Sequence, residues 1–141
     1  MNASVRPFAD DDEDAVVALW AAAGLTRPWN DPHRDIARKK QVQRELFLVA
    51  EEDGAVIGTA MAGYDGHRGW VYYLAVAPDR QGGGLGRTLM AEAESRLLAL
   101  GCPKVNVQIR SGNEAVAAFY DRLGYASDAA TSLGKRLVPD G

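Results

Sequence analysis

The sequence predicts an α/β fold with a mixed, mostly antiparallel central sheet of six or seven strands that is flanked by helices. Three features of the chain indicate this fold. Residues 46–50 form a continuous apolar run, which is typical of a strand buried on both faces. Turn sequences at residues 53–54 and 64–69 return the chain through two further strands, as in an antiparallel meander. After Gly84, helical and strand patterns alternate, which gives the order β-α-α-β-β-β-α-β-α-β in a single domain of residues 1–141.

The start of the chain predicts an edge strand followed by a helix. Residues 5–8 have strand character, and Pro7 is tolerated at the edge of a sheet but poorly in its centre. Asp10 and Glu13 have the spacing of a capping box, in which two side chains satisfy the first backbone N–H groups of a helix. The helical pattern behind them ends at Gly24.

Two further helices are indicated by their starting residues and their periodicity. Asp31-Pro32 reads as the N-cap and first position of a helix that reaches about residue 44. This helix is so polar that it must lie on the outside of the molecule. Residues 84–100 carry leucines and an alanine on one helical face, which predicts a helix packed against the sheet.

The end of the chain predicts a strand, a helix and a closing strand region. Residues 105–109 alternate apolar and polar side chains, as expected for a strand with one wetter face. Ser111 and Glu114 have capping-box spacing for a helix that stops at Gly124. Residues 125–137 are expected to form one or two closing strands.

Composition excludes several classes of function. The 141 residues include 16 Lys and Arg against 19 Asp and Glu, a net charge of −3, which argues against nucleic acid or a membrane surface as the main partner. The lone Cys102 allows neither an internal disulfide nor a cysteine-based zinc site. No apolar run is long enough to span a membrane, and no hydrophobic signal sequence begins the chain. The sequence therefore predicts a cytoplasmic protein without a metal.

The glycine-rich segment 81–87 is the most informative part of the chain. It joins a buried strand to an amphipathic helix, and exposed N–H groups at a helix N-terminus bind phosphate oxygens. A flexible turn is the simpler interpretation of any lone glycine-rich stretch. Two nucleotide motifs fail on spacing: Gly86 is followed by Arg87 rather than by Lys, and no third glycine completes the G-x-G-x-x-G pattern.

The pattern that fits is Q/R-x-x-G-x-G/A, formed by Gln81, Gly84 and Gly86. Here the chain resembles the GNAT N-acetyltransferase superfamily. Residues 113–125 are similar to a second motif of that family, N-x-x-A-x-x-F-Y-x-x-L-G-F/Y, with Val116 at a position where Ala is usual. The resemblance extends from residue 5 to 137, and three shorter segments resemble the YpeA-type bacterial branch.

The resemblance implies a sheet splayed between strands 4 and 5 that holds acetyl-CoA as co-substrate. Direct transfer of the acetyl group to an amine in a ternary complex is then expected. The Val76 amide would polarise the thioester carbonyl, and Tyr120 would protonate the leaving sulfur. A homodimer is a further expectation from the family. The residues implied in acetyl-CoA binding are Leu74, Ala75, Val76, Gln81, Gly82, Gly83, Gly84, Leu85, Gly86, Arg87, Asn113 and Phe119.

The acceptor amine is expected to lie against the segment before the second helix, the turn at residues 64–68 and the strand that follows it. Strand residues 70–76 include no Glu that could act as a base, so a water chain could deprotonate the amine instead. His33 and His67 read more readily as surface residues than as bases, and Cys102 as a structural thiol. The candidate acceptor-binding residues are Trp29, Asn30, Asp31, Tyr64, Asp65, His67 and Tyr72.

Three functions remain open at this stage. The favoured one is acetyl-CoA-dependent N-acetylation of a primary amine on a small molecule or an amino acid, because acidic and basic side chains both occur in the expected acceptor region. Acetylation of a protein N-terminus or of lysine would need an open peptide groove. A non-catalytic domain that senses acyl-CoA would not need the tyrosine hydroxyl.

Overall fold

The computed structural model describes residues 3–140. Within this range, five strands and four α-helices follow the predicted order up to the last predicted strand region. Their bounds are β1 Ser4–Pro7, α1 Glu13–Ala22, α2 Pro32–Lys39, β2 Phe47–Glu52, β3 Ala55–Tyr64, β4 Gly69–Val76, α3 Leu85–Ala99, β5 Val105–Val107 and α4 Glu114–Arg122. Three short 3-10 turns, Asp10–Asp12, Arg44–Leu46 and Pro78–Arg80, lie between them.

The strands form one sheet in the order β1-β2-β3-β4-β5. All neighbours are antiparallel except β4 and β5, which are parallel. The prediction of six or seven strands is wrong for the described residues, since residues 125–137 form none. This stretch combines small and polar residues with Gly134, and its Leu133 and Leu137 are almost fully exposed. Strand pairing would therefore bury no apolar face and gain little stability.

The pairing between β4 and β5 is short, and it explains the predicted splay. β5 pairs with Gly69, Trp70 and Val71 only, whereas β4 continues to Val76. The last five residues of β4 therefore extend beyond the β4–β5 ladder.

The chain forms two compact units. The first contains the described residues up to Val107 together with Asp140, and so holds the whole sheet and α1 to α3. The second contains residues 108–139 with α4. A single domain over residues 1–141 stays a prediction.

Helices cover the two faces of the sheet in the first unit. Phe47 and Val49 belong to a buried cluster with Trp20 of α1 and Ile36 of α2. The alternate β2 residues must point to the opposite face, because successive strand side chains alternate. On that face α3 lies so close to β3 that a Cβ atom on Gly58 would be 2.9 Å from a methyl group of Leu89.

The start of α2 is as predicted, whereas two other predicted caps are wrong. Asp31 accepts hydrogen bonds from the N–H groups of His33 and Arg34, but α2 ends earlier than expected, at Lys39. Before α1, the predicted capping box of Asp10 and Glu13 is replaced by another contact. The Asp12 side chain accepts a hydrogen bond from the Ala9 N–H.

For α4 the cap is Asn113, whose side chain accepts from the Val116 N–H at 3.3 Å, and not Ser111. Ser111 and Asn113 lie two positions apart and each has a side-chain oxygen that can cap a helix, so the sequence alone does not show which of them is the cap.

Neither a membrane-spanning helix nor a metal-binding cluster occurs within residues 3–140. No helix there is long and apolar enough to cross a bilayer. No group of three or more His, Cys, Asp or Glu side chains in that range is arranged to hold a metal ion.

Candidate active site

The glycine loop between β4 and α3 is open to solvent. Gly82 and Gly84 have φ angles of 86° and 87°, which residues with a side chain rarely adopt. A Cβ atom at either position would meet nothing within 4 Å. The loop backbone is therefore accessible to a ligand of some size.

The N-terminus of α3 meets the conditions for binding an anion. Its N-cap, Gly84, supplies no side-chain oxygen to the first N–H groups, and no acidic residue lies in the first turn. Leu85 is buried and anchors this end of the helix, whereas Arg87 is exposed beside it. The unpaired N–H groups and the positive end of the helix dipole favour a phosphate here.

At the end of β4, the N–H group of Val76 points away from β3. In an antiparallel pair, hydrogen-bonded and non-hydrogen-bonded residue pairs alternate. The Ala77 N–H donates to the Ile57 carbonyl at 2.8 Å, so the neighbouring pair of Gly58 and Val76 is the non-hydrogen-bonded kind. The Val76 N–H consequently points to the side on which β5 pairing has already ended.

Gln81 links the loop to this strand end. Its side-chain amide donates to the Val76 carbonyl at 3.3 Å. Two of the segments predicted to bind acetyl-CoA, residues 74–76 and 81–87, are thus brought together in the first unit.

Helix α2 ties the predicted acceptor segments to the sheet. Beyond its end, the Gln43 side chain accepts from the Tyr64 N–H at 2.7 Å and donates to the Tyr64 carbonyl at 3.0 Å. The Lys39 ammonium donates to the Ala62 carbonyl, and burial lowers the pKa of Lys39. These contacts hold the end of β3, where the turn begins, against Lys39 and Gln43.

Both predicted acceptor carboxylates have local structural roles. Asp31 caps α2, as described above. Asp65 accepts hydrogen bonds from the N–H groups of His67 and Arg68 at 2.8 and 2.7 Å, and these bonds lower the pKa of Asp65. Their roles toward an acceptor stay predictions.

The predicted aromatic acceptor residues are partly exposed. Trp29 is 52% exposed in the loop before α2, where the Asn30 N–H donates to the Arg27 carbonyl. Tyr72 is 46% exposed and its ring is stacked with that of Trp70. Large apolar rings half open to solvent suit ligand contact.

A carboxylate that the sequence analysis did not single out lies between α2 and β4. The Tyr73 hydroxyl donates to Asp35 at 2.6 Å, and Arg38 donates to the other oxygen of Asp35 at 3.2 Å. Arg38 also pairs with Asp140, whose buried carboxylate accepts from the Asp31 N–H. The three-residue spacing of Asp35 and Arg38 was a sequence signal for their pairing, but nothing local indicated the contact with Tyr73.

The second unit contains the other predicted motif. Tyr120 is 6% exposed, and its ring makes edge-to-face contacts with Phe119 and Tyr125. Burial raises the pKa of Tyr120 to about 12, so the phenol is protonated at neutral pH. Asn113, predicted to contact acetyl-CoA, uses its side-chain oxygen to cap α4.

Two reactive side chains have structural contacts. Cys102 is buried and its thiol donates to the Lys104 carbonyl at 3.3 Å. His33 lies 2.7 Å from Glu13 of α1, and this contact raises the pKa of His33.

A model of the acetyltransferase (GNAT) family matches residues 14–125, which is most of the chain. The chain belongs to the GNAT acetyltransferase family. Relatives support the assignment over almost the full length of both proteins. An acetyltransferase of Yersinia pestis (strain Pestoides F) is 48% identical and one of Pectobacterium atrosepticum is 47% identical, each over 136 residues that cover 96% of both chains.

Solved structures of low sequence identity share the fold of this acetyltransferase. The ribosomal-protein-S18-alanine N-acetyltransferase of Escherichia coli has a TM-score of 0.75 at 24% identity, with 86% of this chain and 76% of that one covered. AAC(6')-Iy, solved with the bisubstrate analogue CoA-S-monomethyl-acetylneamine, has a TM-score of 0.78 at 15% identity and covers 98% and 100%. At these identities the likeness concerns the fold alone.

This acetyltransferase is therefore an N-acetyltransferase of a family that uses acetyl-CoA. The open glycine loop and the uncapped, acid-free start of α3 fit the anionic pyrophosphate of that donor.

Proposed function

We propose that this acetyltransferase moves an acetyl group from acetyl-CoA to a primary amine of a small molecule or an amino acid. One observation carries the proposal: the Val76 N–H points away from β3 at the end of a strand that continues past its β5 partner. A backbone donor in that position can bind the oxygen of a carbonyl group as negative charge develops on it.

The donor would be held by two adjoining backbone segments of the first unit. Residues 81–87 would bind the pyrophosphate through backbone N–H groups, with Arg87 adding positive charge. Residues 74–76 would pair with the extended pantetheine arm, as an added strand does. Asn113 and Phe119 stay predicted contacts of acetyl-CoA, as the family resemblance implies.

The reaction is balanced without a covalent enzyme intermediate. The amine loses one proton to water and attacks the thioester carbonyl, so that a C–N bond forms while the C–S bond breaks. The second amine proton leaves to solvent. Tyr120 would donate the proton that the sulfur takes up and would then regain one from solvent, which restores the phenol. The raised pKa of Tyr120 keeps this proton in place until charge develops.

The acceptor is proposed to be a cationic small amine. Trp29, Asn30, Tyr64, His67 and Tyr72 would line its site, with Asp31 and Asp65 adding negative charge. Asp35 suits the ammonium group best, because side chains hold it and it remains 21% exposed. Cation binding by a fixed carboxylate adds a charge-assisted hydrogen bond.

The remaining proposals concern partners and location. We propose that the enzyme works in the cytoplasm and uses no metal. We also propose that it binds neither nucleic acid nor a membrane surface, and the net charge of −3 supports this second point. A homodimer, which the family resemblance implies, is part of the same proposal.

The test is an amine panel in which CoA release is followed with a thiol reagent. The panel contains small monoamines, diamines, amino acids and aminoglycosides, together with peptides that offer a free N-terminus or a lysine. Release that depends on a small amine, with the acetylated product seen by mass spectrometry, supports the proposal. Reaction of peptides alone would assign a protein acetyltransferase, and silence with all amines despite tight acetyl-CoA binding would assign an acyl-CoA sensor.

A further inference from the structure

Strand β4 contains a strained residue just before its proposed functional end. Tyr73 has a φ of 51°, a left-handed conformation that an aromatic residue rarely adopts. The register explains it: Thr59 pairs with Ala75 but Met61 pairs with Tyr72, so two residues of β4 lie opposite one of β3. Such strain persists only where the surrounding structure holds it in place.

Three elements hold Tyr73 at three different points. The Tyr73 carbonyl accepts a hydrogen bond from the Thr59 hydroxyl of β3 at 2.7 Å. Its ring is stacked on Trp20 of α1, with centroids 3.7 Å apart and planes 11° apart. Its hydroxyl donates to Asp35 of α2 at 2.6 Å.

Thr59 also forms a hydrogen bond with α1, and the two bonds together fix the orientation of its hydroxyl group. The Trp20 indole N–H, which can only donate, donates to the Thr59 oxygen at 2.9 Å. The single hydroxyl proton of Thr59 is then directed to the Tyr73 carbonyl. Trp20 and Thr59 are fully buried, so both hydrogen bonds lie in a low dielectric where they are strong and costly to lose.

We propose that Thr59 is a positioning residue for acetyl transfer. The relay from Trp20 through Thr59 to the Tyr73 carbonyl fixes the bulge, and the bulge sets the direction in which residues 74–76 leave the sheet. Thr59 is well placed to orient residues 74–76, because it also lies directly opposite Ala75 in the β3–β4 ladder. The inference rests on the proposed function, in which the Val76 amide binds the developing oxyanion.

Thr59→Val tests the inference, since valine keeps the shape of threonine and removes the hydroxyl. The variant leaves the Tyr73 carbonyl and the Trp20 N–H without the relay. We expect kcat to fall by about tenfold or more, because a small misplacement of a catalytic donor has effects of this order. The Kd for acetyl-CoA should stay within about twofold, since most of its proposed contacts lie in the loop.

Two further variants separate positioning from general stability. Thr59→Ser restores the hydroxyl and should recover kcat to within about twofold of the wild type. Ile36→Val removes one methyl group from the same buried cluster without touching the relay, and should leave kcat unchanged. Failure of serine to rescue, or an equal loss of kcat in Ile36→Val, would overturn the inference.

A spectroscopic readout keeps this test independent of the proposed function. In ¹⁵N-labelled protein, Thr59→Val should shift both the Trp20 indole N–H and the Val76 amide resonances, and Thr59→Ser should restore them. If Thr59→Val does not fold, Trp20→Phe breaks the same relay at its other end and should shift the Val76 amide. A Val76 resonance that stays in place overturns the inference, whereas shifted resonances in an enzyme that acetylates no amine overturn the proposed function alone.

Discussion

The side-chain amide of Gln81 donates a hydrogen bond to the Val76 carbonyl across 3.3 Å. This bond joins the glycine loop to the end of β4, the two segments proposed to hold opposite ends of the acetyl-CoA molecule. Because the Val76 carbonyl is engaged by the loop, the N–H of the same residue is held in a fixed direction. The loop is therefore positioned relative to the proposed reaction centre within one compact unit.

The first prediction concerns the pyrophosphate site. Gly84→Val places a branched side chain at a φ of 87° in the exposed loop, which distorts the backbone whose N–H groups would bind phosphate oxygens. We expect the Kd for acetyl-CoA to rise at least about tenfold, or roughly 1.4 kcal/mol. Isothermal titration calorimetry of the folded variant measures this.

Gly101→Val is the matched control. Gly101 has a φ of 88°, an equally open surrounding, and a position at the other end of α3, about 22 Å along the helix axis. It should lose a similar amount of stability and bind acetyl-CoA normally. Equal affinity of the two variants would remove the loop from the proposed site.

The second prediction concerns the acceptor. Asp35→Asn keeps the oxygen that accepts from the Tyr73 hydroxyl but removes the negative charge. KM for a cationic amine should rise at least about tenfold, because hydrogen bonds to charged groups are worth roughly 1.5–3 kcal/mol and tenfold corresponds to about 1.4 kcal/mol. The Kd for acetyl-CoA should not change. Steady-state kinetics at saturating acetyl-CoA provide the measurement.

Asp11→Asn controls for the loss of one negative charge. Asp11 is exposed in the 3-10 turn before α1, where no role in binding is proposed. KM should stay at the wild-type value in this variant. An unchanged KM in Asp35→Asn as well would show that the ammonium group binds elsewhere.

The third prediction is a pH dependence of the contact between α1 and α2. Glu13 raises the pKa of His33 above its ordinary value of about 6.5. A raised pKa in the folded state means that the stabilisation is complete below about pH 6.5 and is lost as the pH rises through the higher folded value. Since both side chains are partly exposed, the effect is small.

Thermal unfolding of Glu13→Gln and wild type at pH 6 and pH 9 measures it. The difference in Tm between the two proteins should be larger at pH 6, where the imidazole is charged. Asp11→Asn should shift Tm equally at both pH values. A difference in Tm between Glu13→Gln and wild type that is larger at pH 9 than at pH 6 would contradict this prediction.

Elements with local signals could be predicted from the sequence, and contacts across the sheet could not. The turn at Asp53 and Gly54 is one success, since both residues have the positive φ angles that such a hairpin requires. The Asp31 cap is another. By contrast, the predicted closing strands were wrong, because residues 125–137 are mostly small and polar and strand pairing would bury no apolar face.

The parts of the candidate site that sequence missed depend on the bulge in β4. A run of strand-forming residues gives no sign that Tyr73 will take a φ of 51°. In that conformation its hydroxyl donates to Asp35, 38 positions earlier, and its carbonyl accepts from Thr59. The glycine loop at the start of α3 could be predicted because it depends on residue spacing rather than on distant side chains, whereas its role in binding acetyl-CoA stays a prediction.

The last prediction concerns Tyr120, the proposed acid. Tyr120→Phe keeps the ring and its edge-to-face contacts with Phe119 and Tyr125, and deletes only the hydroxyl. Loss of a general acid typically lowers the rate on the order of 10², or about 2.7 kcal/mol of transition-state stabilisation. Acetyl-CoA affinity should barely change, because the hydroxyl is needed once charge develops on sulfur.

Tyr125→Phe is the control, since it removes a hydroxyl from the ring that contacts Tyr120 at a position where the family motif accepts either residue. The measurement is kcat at saturating substrates, with acetyl-CoA binding determined separately by calorimetry. Water could protonate the departing thiolate and reduce the effect, so the comparison is made where chemistry limits turnover. There, a Tyr120→Phe rate within about twofold of both wild type and Tyr125→Phe would make Tyr120 a packing residue of α4 and not the acid.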